Sequence, residues 1–226
     1  MKWTFVIQQK LKVAVLLGVV MFFVVVFNLI LQKNISDINR SVNSIYNDRL
    51  IPATDMFYLS DNFHHRQLAI EKFLFTTDYN TDQLRSTLDK YDKEMFALIS
   101  KYEKTYLVEE ESVFLKKFKE QVRNYSGIER EILSLSEHNK KTEALNLYES
   151  DGRASLEATI KQLSDLTTIQ SAVGGKLVSD TKGIVATSNF LSDLQLVLAI
   201  VIGAIITALV LSSKVINRPQ ERFNLN

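Results

Sequence analysis

Two runs without a single charged residue, Val13–Leu31 and Leu194–Ser213, stand near opposite ends of this 226-residue chain and limit what it can become. Each is about 20 residues long. A helix rising about 1.5 Å per residue crosses the ~30 Å hydrocarbon core of a bilayer in that length. A cleaved signal peptide is the rival reading of the first run. It calls for a shorter apolar core and small residues at a cleavage site. Gln32, Lys33 and Asn34 follow Leu31 instead, so the run reads as a retained anchor.

The second run does not begin abruptly. Leu156, Ile160, Leu163, Leu166, Val173, Leu177 and Ile184 lead into it at gaps of three, four and seven, with no Pro on the way. That spacing is helical, so the sequence predicts one long helix that starts in water and ends in lipid.

Charge suggests how the chain is oriented. Lys2, Lys10 and Lys12 precede the first run; Lys214, Arg218 and Arg222 follow the second, with Glu221 among them. The 162 residues between the runs hold 21 basic and 25 acidic side chains. Basic flanks favour the cytoplasm. The expected organisation is a cytoplasmic basic tail over residues 1–12, a transmembrane helix over 13–31, a periplasmic or extracellular domain over 32–193, a second transmembrane helix over 194–213 and a cytoplasmic tail over 214–226. Trp3 and Phe5 suit an interfacial anchor. The outer domain is slightly acidic, which argues against nucleic acid. The absence of cysteine removes disulfides and thiolate metal sites.

The outer domain reads as four amphipathic helices. The first carries Ile35, Ile38, Val42 and Ile45, meets Pro52, where a kink is expected, and resumes with Met56, Leu59, Phe63, Ile70 and Phe73. Thr77–Asn80 reads as a turn. The second runs roughly over 82–104, with Leu84, Leu88, Tyr91, Met95, Leu98 and Tyr102 on one face. The third runs roughly over 109–137, with three glutamates at its N-terminal end and a stripe of Leu115, Phe118, Val122, Tyr125, Ile128, Ile132 and Leu135. His138–Lys141 makes the next corner, and Asp151-Gly152 a bend before the last helix. Short loops force antiparallel neighbours. The fold class is therefore all-α: a membrane-anchored, up-down-up-down four-helix bundle with two transmembrane helices.

Helix lengths bear on assembly. The first and fourth helices reach ~70–75 Å from the membrane, the middle pair only ~35–45 Å. The membrane-proximal half then has two helices per chain, with apolar stripes still to cover. A second copy supplies the missing pair, so a parallel homodimer is expected.

Arg66 is the most informative single residue. The series 56, 59, 63, 66, 70, 73 places it within an apolar stripe, and an unpaired buried charge is very costly. Either a carboxylate on a neighbouring helix meets it, or it grips a ligand carboxylate bidentately. Asp61 and His65, at i and i+4, face the same way and join Arg66 as candidate ligand contacts. His64 points about 100° away from His65 on a helix of 3.6 residues per turn, and His138 falls in a turn, so no metal site is expected. Phe57, Tyr58, Phe63, Phe73 and Phe75 read as core. Gly174-Gly175 suits close helix approach, favoured here at a dimer seam. No nucleophile–base set, carboxylate pair in a cleft or cofactor fingerprint is present, so neither enzymatic activity nor a cofactor is expected.

Three segments resemble the extracytoplasmic sensor of methyl-accepting chemotaxis proteins of the four-helix-bundle type. They are IYNDRLIPATDMFYLSDNFHHRQLAIEKFL in the first helix, KTEALNLYESDGRASLEATIKQLSDLTTIQ in the fourth, and KVINRP, similar to the start of the HAMP linker. The resemblance covers nearly the whole chain. It implies a bacterial inner-membrane sensory module that binds a small carboxylate, an amino acid or a periplasmic partner. It also implies a helix shift carried across the bilayer to a cytoplasmic signalling partner. The aspartate and serine receptors of that family use arginines on this helix at the dimer seam. Such receptors continue for hundreds of residues beyond the linker. Here seven residues follow Pro219, which leaves open a stand-alone module and a piece of a longer receptor. The alternative is a non-sensing, membrane-anchored helical scaffold or a heterodimer partner of full-length receptors.

Overall fold

The computed structural model describes residues 2–76 and 79–216. The turn expected at Thr77–Asp78, the linker-like Asn217–Pro219 and the charges of the last tail lie outside the described residues, as do the side chains of Trp3 and Phe5. The described residues are overwhelmingly helical, with no strand among them. Six α-helices follow in order: α1 (Lys2–Ser44), α2 (Ile51–Phe75), α3 (Thr81–Tyr102), α4 (Glu109–Glu137), α5 (Lys141–Leu147) and α6 (Arg153–Ile216).

Two wide, π-helical turns replace the breaks expected from the sequence. Ile45–Leu50 joins α1 to α2, and Tyr148–Gly152 joins α5 to α6. The N–H of Ile51 bonds to the carbonyl of Tyr46, and that of Arg153 to Tyr148, each five residues back. Pro52 stands in the first turn of α2. The widened turn beneath it relieves the clash of a proline ring with the carbonyl four residues earlier, so the chain stays helical through Pro52 with no break. Asp151-Gly152 likewise sits inside a π-helical turn.

Residues 41–179 form one compact unit. Its helices alternate in direction, as their contacts show. Lys101 late in α3 reaches Asp55 early in α2 at 2.7 Å, while Arg85 early in α3 pairs with Glu137 at the end of α4. Tyr148 donates to Glu71 at 2.6 Å, and Thr167 on α6 comes back down to Met56 at 3.2 Å. The corners carry local signals. Asn80 caps α3, accepting from the Gln83 N–H at 2.9 Å while Gln83 accepts from the Asn80 N–H at 3.0 Å, a reciprocal cap. Asn139 takes φ 61° between α4 and α5, a conformation asparagine tolerates.

The core of this unit falls into two apolar clusters. One gathers Phe63, Met95, Phe118, Val122, Tyr125 and Leu166 with their neighbours. The other gathers Ile70, Leu84, Ile132, Ala144 and Tyr148 with theirs. The stripes read in the sequence supply most of both. Two positions of the α4 stripe, Ile128 and Leu135, are only half-buried, and Ser126, Glu129 and Leu133 are buried instead.

The second unit comprises the α1 segment up to residue 40 and the α6 segment from residue 180. Two helical stretches, within Val15–Phe75 and Lys141–Ala208, are long and apolar enough to cross a membrane, with windows of mean hydropathy 2.7 and 2.2, neither of them buried. Phe22, Leu29, Leu196 and Ile200 lie exposed along them. Within this unit Asn34 donates to the Ser188 hydroxyl at 3.0 Å.

Candidate functional site

Arg66 sits between the two apolar clusters, 1% exposed. Its side chain is met from two other helices. Nε donates to Glu129 Oε1 at 3.1 Å, and Nη2 donates to the other oxygen of the same carboxylate. Nη1 donates to Asp92 Oδ1 at 2.5 Å. Nη2 also reaches the Ser126 hydroxyl at 3.1 Å, and the Tyr125 ring lies 5.8 Å from the guanidinium carbon. The group that most needed a partner thus finds several within the chain, the side-on grip on Glu129 having the fork geometry that guanidinium and carboxylate share.

Two carboxylates face this one buried guanidinium; Arg130 reaches the second oxygen of Asp92 from the exposed side at 3.5 Å. Burial works against the Arg66 charge, but Glu129 and then Asp92 outweigh it and hold its pKa above the ordinary arginine value. Burial pushes the Glu129 carboxyl above the usual carboxylate range, and the attraction of Arg66 offsets that only in part. Tyr125, buried and beside Glu129, resists ionisation far beyond an ordinary phenol.

A second buried pair closes the other end of the bundle. Arg49, in the first π-helical turn, donates to Glu111 Oε1 at 2.5 Å and to the Tyr106 carbonyl at 3.2 Å. Glu111 accepts from the Val108 N–H at 2.9 Å with its other oxygen, so one carboxylate both caps α4 and holds Arg49. Asp48 accepts from the Tyr106 N–H at 3.0 Å. Gly174 lies against this pair: a Cβ there would stand 3.7 Å from Arg49 Cγ of the same chain. Gly175 faces open space.

Asp61 and His65 lie elsewhere, on the exposed flank of α2. They approach each other at 3.5 Å. Both line a groove of about 540 Å³ between α2 and α3, with Tyr58, Asn62, Tyr91 and Lys101. The imidazole of His65 stacks on Tyr91, centroids 5.4 Å apart and planes within 6°. Arg66 does not line this groove, so the three candidate ligand contacts do not converge on one point. Among the described residues no cluster of three or more His, Asp and Glu stands ready for a metal ion.

Sequence reasoning missed Asn62, which is buried at the groove floor. The signal was available: 55, 62 and 69 follow one another at heptad spacing beside the apolar stripe, and a polar residue there demands an explanation as Arg66 does.

A larger groove, about 890 Å³, runs between α2 and α6. Met56 and Leu163 form its floor, while Ser60, Thr167, Thr168 and Ser171 give it a hydroxyl rim. Phe57 and Ile160 beside them are 67% and 39% exposed.

Comparison with known proteins agrees with this architecture. The sequence profile described as a four helix bundle sensory module for signal transduction matches residues 4–185. No curated protein and no solved structure matches the chain. The profile describes a signalling module rather than a catalytic one. It spans most of the chain, including the helices that carry both buried arginines. The chain belongs to the family of four-helix-bundle sensory modules of the methyl-accepting chemotaxis proteins.

Proposed function

We infer that this chain is the sensing part of a membrane chemoreceptor. It works as a parallel homodimer whose outer bundle binds a small ligand or a partner protein. One observation carries the reading: the apolar, hydroxyl-rimmed α2–α6 groove, about 890 Å³, lies open with Phe57 and Ile160 exposed beside it. A second copy placed there brings two more helices to the seam and covers Phe57 and Ile160. The basic flanks support placing residues 32–193 outside the cytoplasm. A ligand that prefers one packing of the seam shifts α6 relative to α2, and a shift of about 1–2 Å at a helix interface is a known form of switching.

The internal pairing of Arg66 is the observation favouring the scaffold alternative, since a ligand anchor needs an accessible guanidinium. In the sensor reading, Arg66 fixes the wall of the bundle, and ligand contact falls to the flank of Asp61 and His65.

A hybrid receptor tests the reading. Residues 1–216 are joined to the cytoplasmic part of a characterised chemoreceptor, and kinase output is measured while extracellular small acids, amino acids and peptides are supplied. A kinase response to any of these inputs is expected. Output that stays constant across all of them contradicts sensing.

A further inference from the structure

The apolar series of the first helix makes no allowance for its π-helical turn. Ile35, Ile38, Val42 and Ile45 run on through Arg49, Pro52 and Met56 at gaps of three and four throughout, the phase of an unbroken helix. The π-helical turn at Ile45–Leu50 inserts one residue into that phase. In an α-helix one residue is about 100° of turn and about 1.5 Å of rise. Burial records the slip. Ile35 and Val42 are 57% and 52% exposed, whereas Asn34 and Ser41, one residue earlier, are half-buried. Asn34 donates to Ser188 on α6 at 3.0 Å. The same stretch of α1 thus carries two usable faces one residue apart, a polar one through Asn34 and an apolar one through Ile35.

The wide turn is held from outside. Asp48 accepts from the Tyr106 N–H at 3.0 Å, and Arg49 donates to the Tyr106 carbonyl at 3.2 Å and to Glu111 at 2.5 Å. Tyr106 lies in the loop between α3 and α4, 69% exposed. The hold is incomplete, because Arg49 Nε is buried without a partner, and an unmade bond of that kind narrows the advantage of the latched state. Pro52 adds a local preference: an α-helical turn there sets its ring against the Asp48 carbonyl.

We propose that Ile45–Leu50 is a two-position joint. Latched to the α3–α4 loop through Asp48 and Arg49, it is π-helical and turns Asn34 towards α6. Unlatched, it closes to an α-helical turn and presents Ile35 there instead. Displacing the loop that carries Tyr106 releases the latch. The use of this joint as a switch rests on the sensor reading.

Disulfide formation in the full chain in lipid nanodiscs tests the joint, since the natural chain has no cysteine. Asn34→Cys with Ser188→Cys is compared with Ile35→Cys with Ser188→Cys, and mass spectrometry of the digest reads the rate of the intrachain bond. Each pair is placed in the natural background and in one carrying Pro52→Ala and Glu111→Gln. The first change removes the ring clash. The second sets an amide against Arg49 while keeping an oxygen for the Val108 N–H. In the natural background the pair at 34 oxidises faster; in the altered background the order reverses. Leu84→Ala, in the other apolar cluster, loosens the bundle and keeps the natural order. General loosening slows both pairs without exchanging them, so reversal is not a sign of lost folding. An order that stays the same with Pro52→Ala and Glu111→Gln, a natural chain that already favours the pair at 35, or an equal reversal in Leu84→Ala overturns the proposal. No reversal, in a hybrid receptor whose kinase responds to its inputs, sinks the joint alone. Reversal with kinase output constant across all inputs sinks the sensor reading alone.

Discussion

The guanidinium of Arg66 on α2 and the carboxylate of Glu129 on α4 meet side-on, with Nε to Oε1 at 3.1 Å and Nη2 bonded to Oε2. The pair occupies a tier that divides one apolar cluster from the next. A polar tier of this kind is satisfied in one register only. Sliding α4 by a turn against α2 strands a charge in the core.

Removing one partner from the tier is expected to be severe. Arg66→Ala leaves Glu129 buried without its counter-charge, and losses of ~3–5 kcal/mol follow such changes. The double variant Arg66→Met, Glu129→Leu removes the charges together and leaves Asp92 to Arg130. It is expected to lie near the natural stability or above it. Denaturant unfolding of the two variants checks the contrast; equal losses in both contradict the tier as described.

The tier also gives the bundle a pH dependence. Glu129 has a native pKa raised above that of the unfolded chain, which lies near ~4.3. Between those two values the native state binds more protons than the unfolded state. The Glu129 contribution to stability therefore falls as pH rises through that window and is regained on mild acidification. Melting temperatures across the weakly acidic range are expected to show this slope in the natural protein, and Glu129→Gln to lack that component. Identical slopes in the two proteins contradict the assignment.

At the alkaline end the direction is set by buried phenols. Tyr125 and Tyr148 are both raised, first by burial and then by the carboxylates of Glu129 and Glu71 respectively. Unfolded tyrosines ionise near ~10, so above that pH the unfolded state gains ionisation free energy that the native state does not, and stability drops. Tyr148→Phe is expected to soften the drop, although it gives up the 2.6 Å hydrogen bond to Glu71. Unfolding measured on either side of that pH decides the point.

Two glycines are expected to respond differently to alanine. Gly127 lies inside α4 with nothing within 4 Å of an added Cβ, so Gly127→Ala gains up to ~1 kcal/mol of helix propensity. Gly152 closes the second π-helical turn, where a Cβ would stand 3.0 Å from the buried Tyr148 ring. Gly152→Ala is expected to lose its propensity gain to that contact. Thermal melts of the pair provide the comparison.

Much of this was legible in the sequence. The limits of α4 and the burial of Leu84, Phe118 and Leu163 follow from spacing alone, because an amphipathic helix can bury only one stripe. Arg66 announced itself as a charge in an apolar series. Glu129 did not, because Ile128 beside it offered an apolar residue within one step of the same face. The π-helical turns were also hidden: one extra residue in a turn hardly disturbs a spacing of three and four. The approach of Gly174 to Arg49 was hidden as well: an added Cβ there would stand 3.7 Å from the Arg49 side chain of the same chain. That contact depends on how α6 lies against the first π-helical turn, which no local pattern records.

Site-directed crosslinking decides whether the proposed α2–α6 groove is the seam between two copies. The natural chain has no cysteine, so single cysteines report cleanly. Ser60→Cys in that groove and Ser86→Cys on the outer face of α3 are placed one at a time in the full chain and oxidised in native membranes. Rapid disulfide-linked dimers of Ser60→Cys are expected, and little or none of Ser86→Cys. A Ser60→Cys protein that stays monomeric, or one that crosslinks no faster than Ser86→Cys, contradicts it.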